Sequence, residues 1–162
     1  MAARVKPVKT NTTNKLIRWA SIVLSVLGAA DAIYLLVLKI TQNELMCVGN
    51  HGCITVNNSI YSEIYGLPVS VLGLIGYLAI LLVLLIESLP GIARKIGPFR
   101  FVVENGPMFI FGATLIGLLF SAYLTYIEAF VIYAYCPFCV ASAILMTVLF
   151  VLAIIRLVKQ TF

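Results

Sequence analysis

Four apolar runs of about twenty residues each constrain what this chain can fold into, because a helix of that length crosses the hydrocarbon core of a bilayer. A soluble domain of similar size is roughly half apolar and about a quarter charged. Here 62% of the 162 residues are hydrophobic, 10% are charged and the mean hydropathy is +1.10. The sequence therefore predicts an all-α integral membrane protein, a four-transmembrane-helix bundle with spans at about residues 19–38, 68–86, 107–127 and 136–155.

The basic residues predict the orientation of the bundle. Of the 11 Lys and Arg, all but Lys39 lie in the N-terminal tail, in the polar connection over 87–104 or at the C-terminal end. Cytoplasmic segments carry such an excess, so we expect both termini to be cytoplasmic in a protein of the plasma (cytoplasmic) membrane. The net charge of +5 is explained by this flanking pattern and does not indicate a nucleic-acid partner.

The segments around the spans predict little mass outside the membrane. Residues 1–14 are polar and basic, which indicates a disordered cytoplasmic tail without a signal peptide, and 15–162 read as a single membrane domain.

In the outer loop, apolar residues at helical spacing predict a short interfacial helix over Ser59–Tyr65, which Gly66 ends before Pro68 starts the second span. Four glycines are expected to allow close helix packing: Gly73, Gly76, Gly112 and Gly117.

Cys136 and Cys139, in the sequence Cys-Pro-Phe-Cys, stand at the outer end of the fourth span. Their spacing places both thiols on one helix face, close enough to form a disulfide. At 1.5 Å per residue from Arg156, Cys136 is at the outer boundary and Cys139 is about 4.5 Å deeper. The dipole at a helix N-terminus stabilises a thiolate, which lowers the thiol pKa and favours disulfide exchange. Because this end is expected to face an oxidising compartment, the pair would cycle rather than stay reduced. The alternatives are two small apolar residues or a fixed structural disulfide.

Cys47 and Cys53 form a second candidate pair, in the outer loop. A mobile outer pair can exchange through mixed disulfides with a soluble protein and with the inner pair. The alternative is a disulfide that only stiffens the loop. A four-thiolate zinc site is disfavoured on the oxidising side, so no metal is expected. His51 either tunes a nearby thiolate or is an exposed residue without a role.

Asp31 interrupts the first span roughly 10 Å below its outer end. Intramembrane carboxylates are costly and often serve as proton relays, so Asp31 either carries protons or hydrogen-bonds a neighbouring helix. Several aromatic side chains near the outer end would line a site for a flat ring, although each alone is compatible with ordinary packing. They are Tyr34, Tyr77, Tyr123, Tyr126 and Phe138.

Taken in order, these motifs resemble the vitamin K epoxide reductase family in its prokaryotic form, over nearly all of residues 16–157. The resemblance rests on Cys47 and Cys53 after the first span, Ser59 six residues after Cys53, residues 66–70 opening the second span, and residues 121–126 before Cys136-Pro137-Phe138-Cys139.

The resemblance implies a four-helix bundle around a quinone, such as ubiquinone or menaquinone, with the loop as its cap. It also implies that Cys139 acts beside the quinone, that Cys136 exchanges with Cys53 and that Ser59 helps shape the site. Phe138, Tyr123 and Asp31 are the further residues that we expect near the quinone.

Two departures from the family pattern affect the predicted substrate and partner. Vertebrate members have an asparagine and a tyrosine that contact vitamin K, where this sequence has Val69 and Ala143. Epoxide reduction is therefore disfavoured relative to quinone reduction. Many prokaryotic members also carry a fused thioredoxin-like domain, whereas this chain ends three residues after Lys159, so we expect a separate thioredoxin-like or DsbA-like partner.

The sequence thus predicts a membrane thiol:quinone oxidoreductase that supports disulfide formation outside the cytoplasm. The alternatives are a vitamin K quinone or epoxide reductase and a non-enzymatic scaffold with structural disulfides. A carrier of reducing power from the cytoplasm would need cysteines on that side, where none is predicted. A DsbB-type oxidase has its Cys-x-x-Cys pair in the first outer loop, which is the reverse of the order here.

Overall fold

The computed structural model describes residues 12–41, 52–88 and 105–161. Cys47, His51, most of the predicted tail and most of the connection over 87–104 lie outside the described residues. In chain order the described elements are α1 (Thr12–Thr41), α2 (Gly52–Asn57), a 3-10 turn (Ile60–Ser62), β1 (Glu63–Ile64), β2 (Leu67–Pro68), α3 (Val69–Ser88), α4 (Gly106–Ile127), a π-helical turn (Glu128–Ile132) and α5 (Pro137–Thr161).

Within the described ranges, four helices are long and apolar enough to cross a membrane, which confirms the predicted bundle. They run over Asn14–Thr41, Val69–Ser88, Gly106–Ile132 and Pro137–Lys159. The first of these spans begins five residues before the predicted one and ends three residues after it, because polar residues such as Lys39 continue the helix beyond the apolar run. Hydropathy therefore locates the spans better than it locates their ends.

The core of the bundle lies where α1 and α5 meet α3 and α4. α1 packs against α3 and α5, and α4 packs mainly against α5. The residues buried at this junction are Ala29, Tyr77, Ile80, Leu84, Ile110, Met146, Leu149 and Ala153.

The prediction that Gly73, Gly76 and Gly112 lie at close helix contacts is wrong. A methyl group placed on any of these three residues would meet no atom within 4 Å. Gly117 of α4 does lie at a close contact, as predicted, because a Cβ there would overlap the Met146 side chain of α5. A second close approach occurs at Gly28 of α1, whose backbone lies against the ring of Tyr77 in α3. Only a residue without a side chain fits there, since an added Cβ would overlap the ring.

Residues 52–68, which we call the cap, cover one end of the bundle. The short helix predicted in this loop is present, but it is α2 at Gly52–Asn57 rather than a helix over Ser59–Tyr65. Ser59 has extended backbone angles (φ −67°, ψ 155°), which separate α2 from the 3-10 turn that follows. The predicted position is therefore wrong by about two turns, although the element exists.

A two-residue hairpin replaces the end of the predicted helix. Tyr65 and Gly66 both have positive φ, 52° and 80°, as the tight turns that best match the twist of paired strands require. Glu63 then pairs with Pro68 and Ile64 with Leu67. Pro68 thus lies in β2, one residue before α3 begins, and not in the first helical turn.

A buried ion pair holds the other end of the bundle together. The guanidinium group of Arg156 in α5 hydrogen-bonds the carboxylate of Glu87 in α3. Arg18 of α1 adds a favourable charge to the same carboxylate, and Gly106 at the start of α4 lies against the Glu87 side chain. All four spans therefore converge on one carboxylate at the end opposite the cap.

Candidate functional site

The structure brings three of the four predicted cysteines together beneath the cap. Cys53 on α2 and Cys136, just before α5, are both 0% exposed and share an apolar cluster with Leu35 and Leu38 of α1. The Cys136 thiol is hydrogen-bonded with the thiols of Cys53 and Cys139. A single thiol is thus in contact with both possible exchange partners, and Cys47 lies outside the described residues.

Helix geometry explains the placement of the Cys136–Cys139 pair. The carbonyl of Cys136 accepts the first hydrogen bond of α5, from the N–H of Val140 (3.1 Å), and Pro137 occupies the first helical position, where no N–H is needed. Cys139 is one turn further into the bundle. Both cysteines carry free thiols in this structure.

The Cys136 thiol is favoured as a thiolate by its surroundings. Hydrogen bonding from the Cys139 thiol lowers the pKa of Cys136 to about 7. Cys136 is one residue before the membrane-spanning segment Pro137–Lys159, at the positive end of the α5 dipole, which acts in the same direction. A thiol that ionises readily is both a nucleophile and a good leaving group in exchange, so Cys136 suits disulfide exchange with its neighbours.

A glycine lets the helix that carries Cys53 approach the bundle. A Cβ on Gly52, the residue before Cys53, would overlap the backbone carbonyl oxygen of Tyr135, which precedes Cys136. The start of α2 can therefore lie directly on the backbone beside Cys136 only if position 52 has no side chain.

Lys39 at the end of α1 joins the cap to the bundle. Its ammonium group donates to the carbonyl of Asn57 (2.8 Å) and the hydroxyl of Ser62 (2.6 Å), and it pairs with the carboxylate of Glu63 (3.0 Å). The Lys39 side chain is only 12% exposed. The Asn57 amide group also donates to the Leu35 carbonyl (3.1 Å), so two hydrogen-bonded links run from α1 to the cap.

A largely apolar cavity of about 380 Å³ lies under the cap between the helices. Cys139 forms part of its wall, and the small residues Gly73, Gly76, Ala113 and Gly117 leave room between α3 and α4. Its remaining polar lining comes from Asn57, Ser59, Tyr61, Ser62, Ser70, Tyr77, Ser121, Thr125, Glu128 and Ser142.

The residues predicted near a bound ring occupy different places. Ser59 lines the cavity, and its hydroxyl donates to the Val56 carbonyl (2.7 Å). Phe138 packs against Tyr34, with ring centroids 4.5 Å apart, beside the cysteine cluster. Tyr123 is largely exposed and borders a separate small cleft under the hairpin. The roles assigned to these residues stay predictions.

Asp31 is connected to the cavity by hydrogen bonds that pass through Ser142 and Tyr77. Its carboxylate is hydrogen-bonded to the Ser142 side chain, and the Tyr77 hydroxyl contacts both the carbonyl (2.9 Å) and the hydroxyl (3.0 Å) of Ser142. Tyr77 and Ser142 line the cavity, whereas Asp31 does not. The second oxygen of Asp31 is buried and has no hydrogen-bond partner among the described residues.

Glu128 is the site residue that the sequence reasoning missed. It is 3% exposed, lines the cavity and is hydrogen-bonded to the Cys139 thiol. Its Oε2 atom accepts the backbone N–H of Cys136 (3.3 Å). The available signal was an acidic residue at the end of an apolar run, eight residues before Cys136, since such residues are costly in a membrane.

A membrane bundle with a buried thiol cluster beside an apolar cavity defines a class, the membrane thiol oxidoreductases. Comparison with known proteins agrees: the model of the vitamin K epoxide reductase family matches residues 19–154. The chain belongs to this family.

One characterised relative supports the same class. Thiol-disulfide oxidoreductase LTO1 of Arabidopsis thaliana is 32% identical over 130 residues, which covers 76% of this chain and 32% of LTO1. The chain thus spans about a third of the length of that relative.

Replacing Lys39 with Met tests the link between cap and bundle. The variant keeps the length of the side chain but leaves three acceptors in the cap without their donor, at a cost of about 1.5–3 kcal/mol for each charged hydrogen bond. We expect amide hydrogen exchange over residues 53–62 to become at least about tenfold faster. The control is Lys159→Met, which removes an exposed lysine at the far end of α5. Equal exchange rates in the two variants would contradict the assignment.

Proposed function

We propose that the chain is a thiol:quinone oxidoreductase that oxidises a thioredoxin-like protein and delivers the electrons to a quinone. The observation that carries the proposal is the position of two adjacent thiols. Cys139 forms part of the wall of the apolar cavity, while Cys136 contacts Cys53 in the cap. Electrons can therefore pass between the cap and the cavity by disulfide exchange alone.

The cavity fits a quinone ring in size and chemistry. Ligand sites are typically mostly apolar with a few convergent polar groups, and here the Tyr77 and Ser142 hydroxyls and Glu128 are the polar groups near Cys139. A quinone, when bound, accepts two electrons and two protons. Val69 also lines the cavity and supplies no amide group, which favours an ordinary quinone over the epoxide of vitamin K.

The proposed electron path runs from the partner through Cys47, Cys53, Cys136 and Cys139. Each transfer forms one disulfide and breaks another, with the electron pair leaving on the released sulfur. The contacts of Cys136 with both neighbours support the last two transfers. The order of Cys47 and Cys53 remains an inference from sequence, because only Cys53 lies within the described part of the chain.

The sidedness is also a proposal. The thiols lie at the end of the bundle opposite Arg18, Arg156 and Lys159, which supports cytoplasmic termini and an extracytoplasmic cap. A partner more reducing than the quinone pool would drive the reaction, since about 30 mV corresponds to about 1.4 kcal/mol for two electrons. The product outside the cytoplasm would be an oxidised thiol protein able to form disulfides in other proteins.

Trapping of mixed disulfides tests the proposed path. Cys139→Ala should abolish quinone reduction, because the thiol in the cavity wall is lost, and accumulate a Cys53–Cys136 bridge, because Cys136 then contacts Cys53 without the competing Cys139 thiol. Cys53→Ala should accumulate a disulfide between Cys47 and the partner. Mass spectrometry identifies both species. A partner joined to Cys136 in the Cys53→Ala protein would reverse the order, and full quinone turnover by Cys139→Ala would contradict the proposed function.

A cavity-filling substitution tests where the quinone binds. Gly76→Val should reduce quinone turnover at least tenfold (about 1.4 kcal/mol), because its side chain would project into open space in the cavity wall. Gly112→Val is the matched control: position 112 is also open but does not line the cavity. Exchange between Cys53 and Cys136 should be unchanged in both. Similar turnover in the two variants would show that the quinone binds elsewhere.

Asp31→Asn tests proton transfer through Ser142 and Tyr77. The variant keeps the shape and an acceptor for Ser142 but removes the group that titrates. We expect quinone reduction to slow by about tenfold, less than the loss of a direct acid or base. Ser21→Ala, which removes a buried hydroxyl elsewhere on α1, is the control. If Asp31→Asn matches the parent protein from about pH 5 to 9, Asp31 only connects α1 to α5.

A further inference from the structure

Backbone hydrogen bonds hold the main chain of Glu128 in place beside the thiol cluster. The Glu128 N–H donates to the carbonyls of Leu124 and Thr125 at the end of α4. Its carbonyl accepts the N–H groups of Tyr133 and Ala134, which close the π-helical turn. The backbone of Glu128 is therefore held on both sides, at the end of α4.

The Glu128 carboxyl group contacts the thiol cluster and has no cationic neighbour among the described residues. The groups that face it in the described structure are the Cys136 N–H and the Cys139 thiol. The described cations lie elsewhere: Lys39 binds the cap, and Arg156 and Arg18 act on Glu87 at the opposite end. Lys15 and Lys159 are exposed, near the start of α1 and the end of α5. An ionised carboxylate in apolar surroundings is costly without a partner. The Glu128 carboxyl group therefore favours its protonated form and can exchange this proton with the neighbouring Cys139 thiol.

We propose that Glu128 is a catalytic acid and base for Cys139, giving a proton to this sulfur when its disulfide opens and taking it back when the disulfide forms. The proposal deepens the proposed function, on which its second half rests. The assignment follows from direct contact with a reacting sulfur and from the position of Glu128 in the cavity wall.

The exchange step balances with one proton from Glu128. The Cys53 thiol loses its proton to water and its sulfur attacks Cys136, so that a Cys53–Cys136 bond forms and the Cys136–Cys139 bond breaks. The electron pair leaves on the Cys139 sulfur, which takes the Glu128 proton. A carboxylate remains.

The return step restores Glu128. Cys47 attacks Cys53, so that a Cys47–Cys53 disulfide forms, the Cys53–Cys136 bond breaks and the Cys136 sulfur takes the Cys47 proton. The Cys136–Cys139 disulfide would then form again as its two electrons leave for the acceptor in the cavity. The Cys139 proton returns to the Glu128 carboxylate, and the Cys136 proton goes to water. The protons released by Cys53 and Cys136 equal in number the two that a quinone takes up, so the cycle is balanced.

A purely structural role for Glu128 predicts a different result. If the carboxylate only orients the Cys136 N–H, Glu128→Gln should preserve function because the amide oxygen still accepts that hydrogen bond. If Glu128 exchanges a proton with Cys139, the same variant should fail. The substitution therefore separates the two roles while keeping the size of the side chain.

The test follows disulfide exchange within the protein and uses no quinone. In a Cys47→Ala background, a single disulfide is distributed between Cys53–Cys136 and Cys136–Cys139. After a jump in pH the distribution relaxes, and acid quenching, alkylation and mass spectrometry give the rate. We expect Glu128→Gln to slow relaxation by about a hundredfold near pH 7, the lower range for general acid–base catalysis, and to remove the pH dependence due to the carboxyl group.

Two further variants keep the result decisive. Thr114→Val removes a buried hydroxyl that donates to carbonyls of α4 and should relax at the parent rate, as a control for the loss of a polar group in the same membrane span. Glu128→Asp keeps a carboxyl group and should recover the rate to within about tenfold. If Glu128→Gln does not fold, as judged by thermal unfolding in detergent, the Asp variant decides.

The outcomes separate this inference from the proposed function. Relaxation at the parent rate in Glu128→Gln, or equal slowing in the Asp and Gln variants, would overturn the role of Glu128 and leave quinone reduction untouched. Failure of the parent protein to reduce any quinone would overturn the proposed function, while the exchange assay would still report on Glu128.

Discussion

The ammonium group of Lys39 makes the contacts on which the arrangement of the thiols depends. It bonds to a backbone carbonyl, a hydroxyl and a carboxylate from three different elements of the cap. Such short segments have no core of their own, so they need an external partner to take a single arrangement. With Lys39 at the end of α1, that arrangement lies directly above Cys136. The position of Cys53 is therefore set by a charge on a membrane-spanning helix as much as by α2.

The spans were predictable from sequence and the cap was not, for a physical reason. A run of apolar residues that is long enough can only be a helix in a bilayer, because every backbone polar group must be satisfied within the segment. No such constraint acts on residues 52–68, where water is available. There the apolar residues Ile60 and Ile64 fit a helical spacing, but the left-handed conformation of Tyr65 and Gly66 and the contacts of Lys39 favour a hairpin.

The residues of the candidate site also fall into those that sequence could predict and those that it could not. The cysteines stand out in sequence because their spacing has chemical meaning, and three of them meet in the structure. Glu128 has no recognisable motif, and its contact with Cys139 depends on the π-helical turn that closes α4. Likewise, Asp31 and Ser142 are more than a hundred residues apart and meet only because α1 packs against α5. The reactive cysteines can be identified from sequence. The residues that hydrogen-bond to the site, such as Glu128 and Ser142, can be identified only once tertiary packing is known.

The open seam between α3 and α4 determines how a ligand can arrive. At Gly73 and Gly76 the wall has no neighbouring atoms within reach of a side chain, and α3 packs less extensively against α4 than against α1. A compound with a long isoprenoid tail can leave that tail among the acyl chains while its head group enters. Occupancy would then follow the mole fraction of the compound in the bilayer rather than its concentration in water. Lipids would compete for the same entrance, so bilayer composition would become part of the apparent affinity.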